Sequence, residues 1–484
     1  MSVEQTMLAP GLEVSRVLTG LWQIADMERD GRSLDLERTA AAMQAYVDAG
    51  LTGFDMADHY GSAEDVAGLY RQAHGGAPGV RLFTKWVPRP GPVTRDDVRA
   101  AIGRSLTRFR TERLDLLQFH AWTWADPSWL DAMFYLQELR DEGLIAHLGF
   151  TNTDTAHLNL ALASGLPIAT NQVAMSLLDS RAIGRMTTKC LAAGVRLLAY
   201  GTLAGGWLGE RWLGQSEPEW ERTGTWSQMK YGRFIRAAGG WDRYQRVLAA
   251  AARVARRHGV SVANVAGRWV LDQPGVGAII IGARLGERDH IADTLRLFEF
   301  RLTDDDRQEL EAAREHLTPI PGDCGDEYRT PPFLTASGDL RHHLESFPAP
   351  YEVLSVEGRT RCFSGTVWEP LAGFARAVRT GNRVLVSGTT ATHRDRAIGG
   401  NDPAAQAHFV IDKIEGSLRA LGARLEDVVR TRIYVRRAAD WEAVARAHGE
   451  RFGRIQPANT LIVANLIGDE YLVEMEAEAE IGER

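Results

Sequence analysis

The sequence predicts an α/β fold, a (β/α)8 barrel followed by a smaller α+β domain. Two observations lead to this prediction. Between residues 17 and 316, short apolar runs alternate with amphipathic segments of helical length, which is the pattern of parallel strands joined by helices. The apolar runs number eight, the strand count of a closed barrel. A doubly wound sheet is the alternative, but no G-x-G-x-x-G follows the first strand, as that fold would favour.

Each element of the barrel is placed by its pattern. Strands are expected near Val17, Gly53, Leu82 and Leu116, and then at 144–150, 168–172, 195–200 and 276–282. Helices are expected at 36–49, 94–109, 130–141 and 287–296. Thr94 is a good N-cap for the second of these helices, because a threonine hydroxyl can accept a hydrogen bond from the first turn.

Three successive predicted strands end in an ionisable residue, namely Asp55, Lys85 and His120. Tyr60 follows Asp55 by five positions, in a loop. Barrel enzymes place their chemistry at the carboxyl ends of the strands. A phenol has a pKa near ~10, and a neighbouring cation can lower it by roughly 1–3 units. We therefore expect Lys85 to make Tyr60 a better proton donor.

These four residues resemble the catalytic tetrad of the aldo-keto reductases in type, order and spacing, and the resemblance covers about residues 10–318. It implies a TIM barrel that reduces an aldehyde or ketone, or oxidises the alcohol, with a nicotinamide cofactor. Tyr60 would be the general acid–base. Asp55 would hold Lys85 by an ion pair, and His120 would orient the substrate carbonyl.

Further strand ends resemble the cofactor segments of the same family. The residues assigned to the nicotinamide end are Thr151, Asn152, Gln172, Tyr200, Gly201 and Leu203. Tyr200 would stack on the nicotinamide, because hydride transfer needs one ring face covered and the other open to substrate. Taken alone, Tyr200 could equally be a core aromatic.

The resemblance also indicates which residues would bind the 2′-phosphate on the adenosine end of the cofactor. The matching residues are Gly282, Arg284, Arg288, His290 and Thr294. A helix N-terminus with an adjacent arginine is a ready phosphate site. Arg284 and Arg288 therefore favour NADPH over NADH.

Aromatic residues surround the predicted mouth of the barrel. Trp22, Trp86 and Trp122 lie beside strand ends and predict an aromatic-walled pocket for a small carbonyl or alcohol substrate. A loop of about forty residues, rich in tryptophan, separates Tyr200 from Trp241. Loops of this length are usually functional or disordered. We expect a lid, and the alternative is a surface insertion with its own small core.

The chain divides into three parts. Residues 1–318 form the predicted barrel, 319–352 a linker rich in proline and glycine, and 353–484 the α+β domain. Strands are expected there at 384–387, 428–435, 460–463 and 471–479, and helices at 402–421 and 441–452. Carboxylates alternate along the last strand, so one face of it is expected to be wet or to lie in an inter-subunit cleft.

This second domain resembles the Rid (reactive intermediate deaminase, YjgF) family, which has a chorismate mutase-like fold. The segments that carry the resemblance include Trp368-Glu369-Pro370, Val386-Ser387-Gly388 and Leu472-Val473-Glu474. The family implies a trimer with clefts between subunits, and Glu474 and Asn459 are the candidate cleft residues. Asn459 stands where deaminating members have an arginine, and an amide lacks the charged fork that binds a carboxylate.

Composition and charge argue against several other classes of protein. The chain has 484 residues, a net charge of −7 and a pI near 6.0, without a dense basic stretch that would indicate nucleic-acid binding. No apolar run approaches the ~18 residues of a membrane span. Cys190, Cys324 and Cys362 show no metal-binding or redox spacing. We expect reduced thiols, no metal and a cytoplasmic protein.

Three functional hypotheses follow. The first is an NADPH-dependent carbonyl reductase or alcohol dehydrogenase with an appended Rid-like module. The second is a bifunctional enzyme, in which the Rid-like module hydrolyses an imine or enamine and the barrel reduces the product. The third is a redox-sensing barrel on a trimerising scaffold.

Overall fold

The computed structural model describes residues 3–340 and 343–482, and its first half is a closed barrel. The strands of this half are β1 (Gln5–Ala9), β2 (Leu12–Ser15), β3 (Val17–Gly20), β4 (Gly53–Asp55), β5 (Arg81–Trp86), β6 (Leu114–Phe119), β7 (Ile145–Thr151), β8 (Ile168–Ala174), β9 (Arg196–Tyr200) and β10 (Val276–Gly282). β1 and β2 form a hairpin. The other eight are parallel and close in the order β10-β3-β4-β5-β6-β7-β8-β9. The predicted (β/α)8 fold is confirmed.

The barrel is filled by apolar side chains, and the hairpin closes its N-terminal end. Hairpin and barrel residues form one cluster in which every member is at most 2% exposed: Leu8, Leu12, Val14, Leu18, Phe83, Leu116, Leu198 and Ala278. A packed interior of this kind leaves no channel along the barrel axis. Polar side chains at the carboxyl ends of the strands therefore lie above a dry floor.

Helices surround the barrel. They are α1 (Trp22–Met27), α2 (Leu36–Ala41), α3 (Met43–Asp48), α4 (Ala63–Ala73), α5 (Arg95–Phe109), α6 (Ser128–Asp141), α7 (Thr155–Ala163), α8 (Arg185–Ala193), α9 (Trp220–Thr223), α10 (Trp226–Ala237), α11 (Trp241–His258), α12 (Val262–Leu271), α13 (Ile291–Arg296) and α14 (Asp304–Arg314). Thr94 caps α5 through a capping box with Asp97, as its sequence position predicts.

Three local predictions need correction. The helix expected at 36–49 is two short helices, α2 and α3, that meet at Ala42. The helix expected at 287–296 begins only at Ile291. The forty-residue loop folds into α9, α10 and short turns, because its own aromatics supply a small core: Trp207 is 1% exposed and Trp220 3%.

The segment predicted as a linker packs on the barrel mouth. We call residues 320–335 the strap. The guanidinium of Arg329 donates hydrogen bonds to the carbonyl oxygens of Ala121 and Asn152, both at 2.6 Å. These residues follow β6 and β7, so the strap covers the carboxyl ends of the strands. The domain boundaries at 318 and 353 stay predictions.

The second half contains a seven-stranded sheet. Its strands and helices are β11 (Glu352–Val356), β12 (Arg359–Phe363), β13 (Ala377–Thr380), β14 (Arg383–Thr390), β15 (Thr392–His393), β16 (Arg396–Ala397), β17 (Val428–Val435), β18 (Ala458–Val463), β19 (Val473–Glu480), α15 (Trp368–Ala372), α16 (Pro403–Ala420) and α17 (Trp441–Phe452). The order is β11-β12-β13-β14-β19-β17-β18, and β15 pairs separately with β16. Only β17 and β18 run parallel among these described neighbours.

Three consecutive strands at one edge of the sheet, β11, β12 and β13, were missed by the sequence analysis, as was the short pair β15 and β16. All five residues of β11 are exposed, so this strand lacks the alternation of buried and exposed residues that reveals a half-buried strand. The long helix α16 was placed correctly, with Asp402 as its N-cap and Pro403 in its first turn. Within the described ranges, no helix is both long enough and apolar enough to cross a bilayer.

The two halves contact each other through α7 and α16. The imidazole of His157 bridges two carboxylates, with Nδ1 2.7 Å from Asp154 Oδ2 and Nε2 2.9 Å from Asp412 Oδ2. Burial alone would lower the pKa of His157, but the two carboxylates outweigh it and raise that pKa to about 9. The barrel and the second domain are thus joined by a buried, charged bridge.

Candidate active site

An ion pair between Asp55 and Lys85 lies at the carboxyl ends of β4 and β5. The ammonium of Lys85 donates hydrogen bonds to Asp55 Oδ2 at 2.6 Å and to the carbonyl oxygen of Met56 at 2.7 Å. Both charged residues are only 3% exposed. A buried charge is tolerated only when it is paired and hydrogen-bonded, and this pair meets both conditions.

Two glutamines complete the surroundings of Asp55. Its Oδ1 accepts hydrogen bonds from Gln172 Nε2 at 2.7 Å and from Gln118 Nε2 at 3.1 Å. The structure therefore places Gln172, which we expected at the nicotinamide carboxamide, against the ion pair. Gln118 was missed by the sequence analysis. The sequence does hint at this residue, because Gln118 is a polar side chain inside an otherwise apolar strand. It lies two positions before His120 and therefore points to the same side of the chain.

Tyr60 lies beside the ion pair, on the same side of the barrel. The Lys85 ammonium is 5.0 Å from the centre of the Tyr60 ring. Burial and the charge of Asp55 raise the pKa of Tyr60 well above its ordinary value. The expected lowering by Lys85 is wrong in this structure, because Asp55 offsets the lysine charge at 2.6 Å and the phenol is desolvated.

His120 is a buried, neutral imidazole. Burial and the nearby guanidinium of Arg329 lower its pKa well below the ordinary value. Its Nδ1 lies 3.4 Å from the carbonyl oxygen of Thr151 and 3.5 Å from Asn152 Nδ2, so either tautomer finds a partner. Among the described residues, nothing hydrogen-bonds to Nε2. A buried nitrogen without a hydrogen-bond partner costs free energy. A hydrogen bond from this nitrogen to a substrate oxygen would remove that cost.

The residues assigned to the nicotinamide end gather where β7, β8 and β9 end. The Tyr200 hydroxyl is 2.7 Å from Asn152 Oδ1, and the Thr151 hydroxyl donates to Gln172 O at 3.3 Å. Gly201 has φ +72°, and a Cβ there would lie 2.3 Å from the hydroxyl of Tyr231. Leu203 follows, partly buried. These polar groups surround Tyr200 and fit a carboxamide.

The residues assigned to the adenosine phosphate are spread along the chain from the end of β10 into α13. Arg284 pairs with Asp26 at 3.0 Å and with Glu287 at 2.8 Å. Arg288 and His290 are exposed, whereas Thr294 is 8% exposed inside α13. Because α13 begins at Ile291 and has six residues, the helix N-terminus expected beside Arg284 is absent there. Gly282 ends β10 against the side chain of Gln23.

Comparison with known families settles the class of the barrel. Residues 16–315, more than half of the chain, match the model described as the aldo/keto reductase family. The chain belongs to this family. Residues 366–481 match the model described as Endoribonuclease L-PSP, the Rid/YjgF family. A reductase barrel is thus fused to a Rid-type domain, as the sequence motifs predict.

Relatives agree with this division. An aldo-keto reductase of Bacillus subtilis is 25% identical over 348 residues, which cover 68% of this chain and 98% of the relative. An uncharacterized protein of Streptomyces coelicolor is 39% identical over 127 residues, 26% of this chain and 95% of the relative. The solved structure of a glycerol dehydrogenase from Gluconobacter oxydans gives a TM-score of 0.54 at 23% identity, covering 67% of this chain and 98% of that chain. The last likeness supports the fold.

Two of the three predicted tryptophans flank the tetrad of the reductase barrel. The rings of Trp22 and Tyr60 meet edge to face at 5.2 Å, and those of Trp122 and His120 at 4.5 Å. Trp86 is 7% exposed and packs on Phe119. Trp22 and Trp122 can therefore form pocket walls, whereas Trp86 belongs to the core beneath them.

The sequence analysis missed a buried lysine among three tyrosines. The Lys230 ammonium lies 4.6 Å from the ring centre of Tyr200, 4.9 Å from that of Tyr328 and 5.6 Å from that of Tyr231. It also donates a hydrogen bond to the Tyr328 hydroxyl at 2.7 Å. Such an arrangement stabilises a cation by cation–π contacts. The lysine comes from α10 and Tyr328 from the strap.

The strap also brings a carboxylate to this position. Glu327 Oε1 is 3.0 Å from the Tyr200 hydroxyl, and Oε2 is 2.9 Å from Arg181 Nη1. Burial raises the pKa of Glu327, but Arg181 and Lys230 outweigh it and keep that pKa below its ordinary value. The only sequence signal was the charged and aromatic run Asp326-Glu327-Tyr328-Arg329 in a segment otherwise predicted to be a linker.

The two residues predicted to share a Rid-type cleft do not meet within one chain. Glu474 pairs with Tyr434 across β19 and β17, whereas Asn459 pairs with Thr431 across β18 and β17. Tyr434 and Thr431 are three positions apart on one strand, so their side chains lie on opposite faces of the sheet. Asn459 donates a hydrogen bond to the Thr431 hydroxyl at 2.9 Å, on the face that the helices cover.

Proposed function

We propose that the reductase barrel interconverts a small aldehyde or ketone with the corresponding alcohol, with NADPH as the cofactor and Tyr60 as the acid–base residue. The observation that carries this proposal is the buried Asp55–Lys85 pair, with the Lys85 ammonium 5.0 Å from the Tyr60 ring centre. Family membership supports an oxidoreductase. The residue roles that follow are inferred from the geometry.

In carbonyl reduction, Tyr60 donates a proton to the substrate oxygen. Its raised pKa keeps the phenol protonated at neutral pH, which is the form that this direction needs. The phenolate left after the transfer is stabilised by the nearby Lys85 ammonium. Asp55 keeps Lys85 charged, because it opposes the lowering of the lysine pKa by burial. A positioned proton donor contributes about 10²–10⁴ in rate.

His120 positions the same oxygen. Its buried Nε2 has no partner among the described residues, and as a neutral imidazole N–H it can donate a hydrogen bond to a carbonyl oxygen. Trp22 and Trp122 lie against Tyr60 and His120. They confine the substrate carbonyl between the phenol and the imidazole and exclude water from it.

The nicotinamide cofactor would be held by the ends of β7, β8, β9 and β10. When bound, it supplies a hydride to the carbonyl carbon. Thr151 and Asn152 would provide polar groups for its carboxamide, and Tyr200 a flat side chain beside them. Gln172 could add only its side-chain oxygen, because its Nε2 donates to Asp55 and Gln118. Arg284, which is partly buried, is the candidate for the 2′-phosphate and supports NADPH over NADH.

We expect Tyr60→Phe to lower kcat/KM for carbonyl reduction about 10²–10⁴-fold, because the proton donor is lost. Cofactor affinity should stay within about threefold, because the ring and its packing remain. The measurement is reduced-nicotinamide absorbance in a screen of aldehydes, ketones and sugars, followed by fluorescence titration of cofactor into the active and the substituted protein.

Tyr70→Phe is the matched control, since its hydroxyl bonds Gln44 at 2.8 Å on the outer helices and its loss should leave turnover unchanged. Turnover by Tyr60→Phe at the rate of the unsubstituted protein would contradict the assigned role.

The cofactor assignment predicts opposite effects at Arg284 and Glu287. Arg284→Gln should raise KM for NADPH about tenfold, roughly 1.4 kcal/mol, and leave KM for NADH nearly unchanged. Glu287→Gln releases Arg284 from a 2.8 Å ion pair and should lower KM for NADPH by about threefold, within the worth of an exposed pair. Equal changes for both cofactors in Arg284→Gln would rule out a phosphate contact.

For the Rid-type domain, we propose self-association as a trimer in the cytoplasm. The support is a set of apolar side chains between 41% and 55% exposed on its sheet: Val353, Leu354, Val356, Leu385, Val429, Ile462 and Val463. Contacts between subunits would remove such apolar side chains from water. Hydrolysis of an imine or enamine by this domain is less favoured, since Asn459 stands where the charged fork of an arginine would bind a substrate carboxylate. Light scattering of the full chain should give three times the 53.4 kDa monomer mass, and a monomer would exclude the proposal.

A further inference from the structure

A cavity lies at the opposite end of the barrel from Tyr60. It has a volume of about 430 Å³ and is lined by residues at the starts of β5, β6 and β7 and by the turn of the β1–β2 hairpin. Arg81 is the first residue of β5, and Lys85 lies four positions further along the same strand. At about 3.3 Å per residue, the two ends are more than ~10 Å apart. The reductase reaction makes no use of this cavity.

Basic side chains dominate the lining. Arg81, Arg113 and Arg140 contribute three guanidinium groups, against the carboxylates of Asp115 and Asp141. Arg140 is paired with Asp141 at 3.0 Å, and Asp115 Oδ2 already accepts a hydrogen bond from a backbone N–H at 2.9 Å. The cavity therefore carries an excess of positive charge.

Two of the three arginines lack a partner in residues 3–340 and 343–482. Neither the Arg81 nor the Arg113 side chain is hydrogen-bonded or ion-paired there, and Arg81 Nε is enclosed without an acceptor. An enclosed donor without an acceptor costs free energy. Arg140 has a structural explanation, since it lies in the last turn of α6 and opposes the helix dipole. Arg81 begins β5 and has no such explanation. Arg113, directly before β6, is exposed, and its guanidinium is therefore available to a ligand.

The pKa of His147 is affected by the same arginines. It lies on β7 opposite Leu116 of β6, facing the cavity. Burial, Arg140 and Arg113 lower its pKa, and Asp115 opposes them. An anion held by the two unpaired arginines would reverse part of this effect, and His147 could then add an N–H donor.

We propose that this cavity binds the phosphate group of a small phosphorylated molecule. Two guanidinium groups can each offer a pair of parallel N–H donors to phosphate oxygens. A volume of about 430 Å³ falls in the range of small-molecule sites and exceeds the room that a single phosphate needs. The cavity therefore has room for an organic part beside the phosphate, with Pro10, Gly11 and Leu12 among its lining.

The test is calorimetric titration of inorganic pyrophosphate into the full chain at constant ionic strength. We expect one saturable site per chain. The double variant Arg81→Gln/Arg113→Gln should weaken binding at least tenfold, because the unpaired donors are gone. The matched control is Arg104→Gln on α5, an exposed arginine outside the cavity, which should leave affinity within twofold.

Arg113→Gln alone should still weaken binding several-fold, and its exposed side chain makes this variant safe for folding if the double variant is unstable. Equal weakening by Arg104→Gln would show a general charge effect and overturn the site. Absence of saturable pyrophosphate binding by the unsubstituted chain would also overturn it. Tighter binding of citrate than of pyrophosphate would overturn the phosphate assignment.

Discussion

The structure of the mouth depends on the ion pair between Asp55 and Lys85. Two opposite charges are held 2.6 Å apart at the top of a packed barrel, where burial would otherwise be prohibitive. Further hydrogen bonds support the pair: Met56 O accepts one from Lys85, and the amides of Gln118 and Gln172 donate to Asp55. Removing one member would leave the others buried and unpaired, so the network acts as a unit.

This network fixes the state of Tyr60. A lone ammonium beside a phenol would promote its ionisation, but here Asp55 neutralises that ammonium and itself disfavours a phenolate. The outcome is a phenol whose pKa is raised by burial and by Asp55. In the proposed reaction, the Lys85 ammonium, 5.0 Å from the ring centre, would offset part of the cost of the phenolate. The arrangement therefore suits proton donation to a carbonyl at neutral pH, and the reverse oxidation is favoured at higher pH.

The sequence was sufficient to predict the site residues that follow one another at the ends of neighbouring strands. Asp55, Lys85 and His120 were located because the carboxyl ends of neighbouring parallel strands must meet at one edge. Gln118 was missed because one polar residue in an apolar strand gives a weak signal. Lys230 and Tyr328 were missed for a different reason: α10 and the strap approach the mouth by tertiary packing, and no local period encodes that approach. Glu474 and Asn459 lie on opposite faces of the sheet of one chain, so a cleft that contains both would need residues from two subunits, and that cleft stays a prediction.

The most direct measurement is the ionisation of Tyr60 itself. The chain would be labelled with ¹³C at the tyrosine ζ carbon, the Tyr60 resonance assigned by its loss in Tyr60→Phe, and its shift followed from pH 7 to pH 11 without cofactor. The account predicts that this resonance stays at the phenol position beyond pH 10. A transition below pH 10 would show that Lys85 acts on Tyr60 as an uncompensated charge, and would contradict it.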